Sequence, residues 1–140
     1  IYQNRGIHVT SDVPIVLYSH ISRNARSAAT LVLPTKALGN EYVAMAYEQV
    51  ASSRTELKVS QFTLVGVEDS TQIEITPVDT ILNNTRPGRA PFQIRLDKGD
   101  VYQYQSTKDV TGVRIKTIGN CKPLAVFSGS TKAGFCATSL

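Results

Sequence analysis

The chain has 140 residues, 41% of them hydrophobic and 19% charged, with a formal net charge of +4. That length suits one domain able to bury roughly two-thirds of its unfolded surface, and the composition excludes a disordered chain. The charge is mild and not gathered into the basic stripe of a nucleic-acid binder, and no apolar run is long enough to span a membrane.

Ile7 and Val9 alternate with His8 and Thr10, predicting a first strand that ends at Ser11 and Asp12. Residues 13–18 predict a second, with Ile15 and Leu17 on one face and Val16 and Tyr18 on the other. Pro14 lacks an N–H and limits that strand to an edge or an opening position. The polar residues 20–27, HISRNARS, read as a loop, and residues 28–33 as a strand stopped by Pro34. Residues 35–40 predict one helical turn, with Gly39 as its stop signal. Residues 42–47 read as a strand and 49–54 as a polar connection.

Residues 58–67 and 72–77 predict a hairpin, because four polar residues, Glu68 to Thr71, separate two alternating runs. Ile73 and Ile75 face one way and Gln72, Glu74 and Thr76 the other, so this strand has one wet face. The longest irregular stretch is 79–91, DTILNNTRPGRAP. Phe92, Ile94 and Leu96 then alternate with polar residues, and Asp97-Lys98-Gly99-Asp100 turns the chain. Residues 101–105 and 113–118 alternate as half-buried strands, whereas 124–127 is apolar on both faces and suits a strand covered on both. These last three read as a C-terminal meander. The sum is about ten short strands spaced by turn signals, an all-β antiparallel β-sandwich, with a closed β-barrel as the alternative.

The two cysteines, Cys121 and Cys136, both stand in turn-like contexts, which favours a disulfide between them over two free buried thiols. Such a bond would close a loop of about 15 residues and contribute about 3 kcal/mol. With only two distant histidines beside them, they make no zinc pattern.

Several motifs together carry a family likeness: GIHVTSDVPIVLYSHI, ATLVLPTKALGNEY, FTLVGVEDSTQIEITP, KGDVYQYQS, DVTGVRIKT and CKPLAVFSGS. In this order and spacing they resemble the N-terminal domain of IgGFc-binding proteins, in the bacterial, Bacteroidetes-like branch of secreted and surface proteins. The resemblance implies an extracellular, non-enzymatic β module. It also implies a protein or glycoprotein ligand, with immunoglobulin Fc or a mucin-like glycoprotein as the candidates. It carries over no binding residue. Because the chain starts and stops without terminal signals, residues 1–140 are expected to be a single domain of a larger multidomain protein whose neighbouring domains are partners too.

The residues themselves supply no convergent acid, base and nucleophile. His8 alternates with apolar neighbours and reads as a solvent-facing strand residue, and His20 as a surface hydrogen-bonding group. Ser128-Gly129-Ser130 lacks the strand–turn–helix setting of a nucleophile elbow. Asp97, Asp100, Glu68 and Asp69 read as turn formers, and would serve calcium only if their two turns met in space. No cofactor is expected. The contact surface is expected at the loops, through Arg23 and Arg26 in one and Arg86 and Arg89 in the other. Solvated arginines that keep the domain soluble are the competing reading. Tyr102 and Tyr104 share a strand face and offer either an aromatic platform for a sugar or core packing with hydroxyls at the rim. A spacer module and a carbohydrate-binding module are therefore the alternatives to a recognition or adhesion domain. Asn83-Asn84-Thr85 is a glycosylation sequon, relevant only in a eukaryotic secretory host.

Overall fold

The structure, a computed structural model, describes residues 1–23, 26–47, 59–78, 90–119 and 121–131. Among these residues run nine strands and one short 3-10 turn. The strands are β1 (Leu17–Arg23), β2 (Arg26–Val32), β3 (Glu41–Val43), β4 (Ser60–Gly66), β5 (Thr71–Thr76), β6 (Phe92–Leu96), β7 (Val101–Ser106), β8 (Arg114–Ile118) and β9 (Leu124–Ser130). The turn, Thr35–Ala37, follows Pro34 and gives way to extended backbone at Leu38, a single turn as expected though shorter than 35–40.

Every strand pairing is antiparallel. One sheet has the order β3-β8-β5-β6 and a second the order β7-β4-β9, while β1 and β2 form a separate ribbon. Both larger sheets keep open edges, so the architecture is the expected sandwich and not a closed barrel. Period-two alternation builds it. On β4, Phe62 and Leu64 are fully buried while Gln61, Thr63 and Val65 are partly exposed; on β5, Ile73 and Ile75 are fully buried. Together with Leu96, Ile115, Val113, Tyr104 and Leu124 they form one apolar cluster between the two sheets. Each such large side chain contributes roughly 1.5–3 kcal/mol of transfer free energy. Two buried hydroxyls have partners: Ser60 accepts the Val110 N–H at 3.1 Å, and Thr71 donates to the Glu68 carbonyl at 2.7 Å.

Several predicted elements are placed differently. β4 and β5 exist, but they are not a hairpin: β4 pairs with β7 and β9, and β5 with β6 and β8. Both strands carry their large apolar residues on one face, and those faces bury best against each other across the sandwich. The C-terminal run is not a meander either, since β7 and β9 flank β4 whereas β8 lies in the other sheet. Residues 7–10 and 13–16 are not strand, and the expected loop 20–27 is instead the two arms of the β1–β2 ribbon, reversing after Arg23. The ribbon is exposed on both faces, so its arms have no need of apolar alternation. Leu124 is buried but Phe127 is 36% exposed, so β9 is an edge strand covered on one face only.

Strand pairing at β3 ends after Val43, short of the predicted Tyr47, yet residues 44–47 continue along the seam between the sheets. Ala44 donates to the Val113 carbonyl at 2.9 Å and accepts from Gly112 at 3.0 Å. Beyond it, hydroxyls take over the ladder. The Thr111 hydroxyl accepts the Ala46 N–H at 3.0 Å and donates to its carbonyl at 3.1 Å. On the other side, Ser128 accepts the Met45 N–H at 3.2 Å and donates to the Met45 carbonyl at 2.8 Å. Ser130 does the same for Tyr47, at 3.1 and 2.8 Å. The i, i+2 spacing of these serines matches that of Met45 and Tyr47, so each hydroxyl replaces one missing strand partner. Replacing Ser128 and Ser130 by Ala is expected to cost about 1 kcal/mol each. Urea denaturation of the single and double variants measures this, and an unchanged midpoint in the double variant refutes it.

Candidate functional site

Leaving β4, the chain must cross to the opposite sheet within a few residues, and Gly66 and the turn before β7 make this possible. A Cβ on Gly66 would lie 2.3 Å from the Asp97 carbonyl oxygen, so only glycine lets the two backbones approach. Gly66 donates to the Asp100 carbonyl and Gly99 to the Gly66 carbonyl, each at 2.9 Å. Ser70 adopts a positive φ of 57° as the chain enters β5.

The two acidic turns do meet here. Asp97 accepts the Ser70 N–H at 2.7 Å, and Asp69 accepts the Lys98 N–H at 3.0 Å. Asp100 accepts from the Asn4 and Asp97 N–H groups at 3.1 and 3.2 Å. The Arg95 guanidinium reaches Asp97 at 3.3 Å and the Ser70 hydroxyl at 2.8 Å, and Lys122 donates to the Asp69 carbonyl. The carboxylates are thus engaged with backbone N–H groups and a cation. Among the described residues no group of three or more His, Cys, Asp or Glu side chains could hold a metal ion. The Ser70 N–H, reinforced by Arg95, holds the Asp97 carboxyl below the usual carboxylate range. A shallow cavity of about 530 Å³ opens beside this cluster, lined by Ile1, Tyr2, Gln3, Arg5, Arg95, Asp97 and Asp100.

Of the candidate contact residues, the structure describes the backbone of Arg23 and Arg26 and the positions of Tyr102 and Tyr104. Arg23 and Arg26 are cross-strand partners at the tip of the β1–β2 ribbon. Arg86 and Arg89 lie outside the described residues, as does the sequon at Asn83. Tyr104 is buried, with its ring stacked on Phe62 at 4.8 Å, and Tyr102 packs against the same cluster. Burial pushes the Tyr104 hydroxyl up to about 12. The pair belongs to the core, and the platform of tyrosines is corrected accordingly: β7 pairs with β4 so that 102 and 104 face inward beside Leu64 and Phe62. Cys121 is exposed, at a positive φ of 49°, and its expected partner Cys136 lies outside the described residues. His8 and His20 are both exposed, and the hydroxyls of Ser128 and Ser130 are occupied in the seam.

The outer faces of the two sheets differ in charge. The four-stranded sheet presents Glu41, Glu74, Arg95, Arg114 and Lys116, with Lys116 bridging to Glu74 at 2.9 Å and holding its carboxyl below the usual range. The three-stranded sheet presents three cross-strand rows: Gln105–Gln61–Gly129, Gln103–Thr63–Phe127 and Val101–Val65–Ala125. None of these nine residues is ionisable. Reading the residues in order had singled out Tyr102 and Tyr104 and passed over Gln103 and Gln105, which occupy the accessible side of the same strand.

A sandwich with three aspartates engaged at one corner, one sheet face rich in charge and one neutral sheet face defines an antiparallel β module. Residues 28–139 match the family model described as IgGFc binding protein, and the chain belongs to that family. No curated protein and no solved structure matches the chain.

Asp97 gives a pH test. Its folded-state pKa is depressed, so its contribution is present above the usual carboxylate value of 3.8 and is lost as pH falls through the lower folded value. Asp97→Asn is neutral at every pH. It is expected to lower stability at neutral pH and to flatten the acid side of a stability-versus-pH curve; a variant curve parallel to the wild type refutes the assignment.

Proposed function

We propose that this domain is a non-catalytic, extracellular recognition or adhesion module that binds a protein or glycoprotein through the loop surfaces at the ends of its sandwich. Membership of the IgGFc-binding family over residues 28–139 is the observation that carries this reading, and it makes immunoglobulin Fc the first ligand to test, with mucin-like glycoproteins next. The family name supports protein binding and a secreted or cell-surface setting. In keeping with that setting, no helix among the described residues is long and apolar enough to cross a membrane. The contacts are assigned to Arg23 and Arg26 at the ribbon tip and to Arg86 and Arg89 in the 79–91 segment. A Cys121–Cys136 disulfide is proposed just beyond β9.

A second reading is favoured by a specific observation. Large apolar side chains are exposed along the N-terminal third, among them Ile7 at 92%, Val16 at 70% and Ile21 at 69%. Exposed apolar side chains in such number favour a contact surface. In this reading the module stacks on a neighbouring domain of its parent protein and serves as a spacer.

Immobilised Fc and purified mucin separate the two. Binding that falls about tenfold or more when Arg23, Arg26, Arg86 and Arg89 are all changed to Glu supports the recognition module, while silence against both ligands supports the spacer. An affinity unaffected by the charge reversal removes the arginine placement. Intact mass before and after reduction and alkylation is expected to reveal the disulfide; labelling of both thiols without reductant excludes it.

A further inference from the structure

We propose that the outer face of the β7–β4–β9 sheet is a binding site for a neutral carbohydrate chain, read by Gln61, Gln103, Gln105 and Phe127. The starting point is the polarity of these groups. The Gln61 side-chain oxygen accepts from the Gln105 amide nitrogen at 3.0 Å and from that of Gln103 at 3.4 Å. The two bonds fix three carboxamides in one orientation across adjacent strands. They leave the Gln61 amide N–H groups and the Gln103 and Gln105 carbonyl oxygens without a bonded partner among the described residues. A fixed row of alternating neutral donors and acceptors matches a row of sugar hydroxyls, each of which both donates and accepts.

Phe127 supplies the apolar half. It lies in register with Thr63 and Gln103, and it is 36% exposed on an edge strand, where the apolar character of residues 124–127 would otherwise call for a cover. A pyranose ring presents axial C–H groups that stack on an aromatic face while its equatorial hydroxyls reach sideways, here toward the glutamines. Gly6 lies against Val65, so the open part of the face is the other two rows, which with strands about 4.8 Å and rows about 7 Å apart measure about 10 by 7 Å, the footprint of one or two sugar rings. Because the face carries no ionisable side chain, a sulfated or acidic chain would be desolvated there with nothing to pair it. Nucleic acid is disfavoured on the same ground. This site is distinct from the arginine-bearing loops and goes beyond the reading above.

The test titrates the full chain with tetrasaccharides of β-1,4-N-acetylglucosamine, β-1,4-glucose and α-1,6-mannose, and with a sulfated heparin fragment, following the side-chain amide resonances by NMR. At least one neutral chain is expected to shift the Gln61, Gln103 and Gln105 amides. Its affinity should be unchanged as salt rises from about 0.05 to about 0.5 M, since no ion pair is involved. Phe127→Ala and, separately, Gln103→Ala should each weaken it, the former about tenfold or more. Arg114→Gln on the opposite sheet should leave it unchanged. The proposal is overturned if no neutral chain shifts these amides, or if only the heparin fragment binds. Folded Phe127→Ala and Gln103→Ala proteins that both retain full affinity overturn it too, as do amide shifts driven by protein concentration alone, which would make the face a self-association surface. Failure on any of these counts leaves the loop-mediated reading standing, because the arginine variants test that one separately.

Discussion

The fold depends on burying the alternate apolar residues of β4 against those of β5. Phe62 and Leu64 on one strand and Ile73 and Ile75 on the next are all fully buried, yet the two strands share no hydrogen bond. They face each other across the sandwich, and that sends consecutive strands into opposite layers. The same rule governs β7, β8 and β9, which step from one sheet to the other and back. Such a chain needs tight corners, and its backbone groups at each corner must find partners away from the ladders.

The acidic residues answer that need. Asp69 and Asp97 each accept a backbone N–H from the facing turn, Asp100 accepts those of Asp97 and Asn4, and Arg95 and Lys122 add donors of opposite charge. Three carboxylates in one corner resemble a cation site in composition. Their hydrogen bonds instead describe a fastening between β4, β5 and the approach to β7. The hydroxyls of Thr111, Ser128 and Ser130 solve the matching problem along the seam, where residues 44–47 run between the sheets without a full strand partner on either side. Both devices use polar side chains as substitutes for backbone, and neither leaves those groups free for chemistry.

What remains free is surface, and the two sheets dispose of it differently. The outward residues of the four-stranded sheet include five charged side chains, with Lys116 paired to Glu74, a composition that resists desolvation. Those of the three-stranded sheet are neutral amides, small residues and one phenylalanine, which give up water at lower cost. Together with the exposed apolar side chains before and along the ribbon, this gives the described residues surfaces of different partner chemistry: a charged sheet face, a neutral sheet face and exposed apolar groups.

Much of this was legible in the residues alone. Alternation and turn signals identified β5 and its wet face, the single turn after Pro34 and the all-β class, because period-two patterning and turn chemistry are local properties. Local pattern does not name a strand's partner. The run through Glu68 to Thr71 looks the same whether the chain folds back beside itself or crosses the core, and only the pairing of β4 with β7 and β9 decided for the crossing. That pairing also decided which half of VYQYQS points inward, turning Tyr104 onto Phe62 and leaving Gln103 and Gln105 outside. In the β1–β2 ribbon the sequence carries no alternation to read, since neither face is buried and polar residues serve as well as apolar ones. The all-β character and most of the strand positions were determined by the sequence itself. Which side of each strand meets the world was decided by the tertiary structure, through long-range contacts that no local pattern contains.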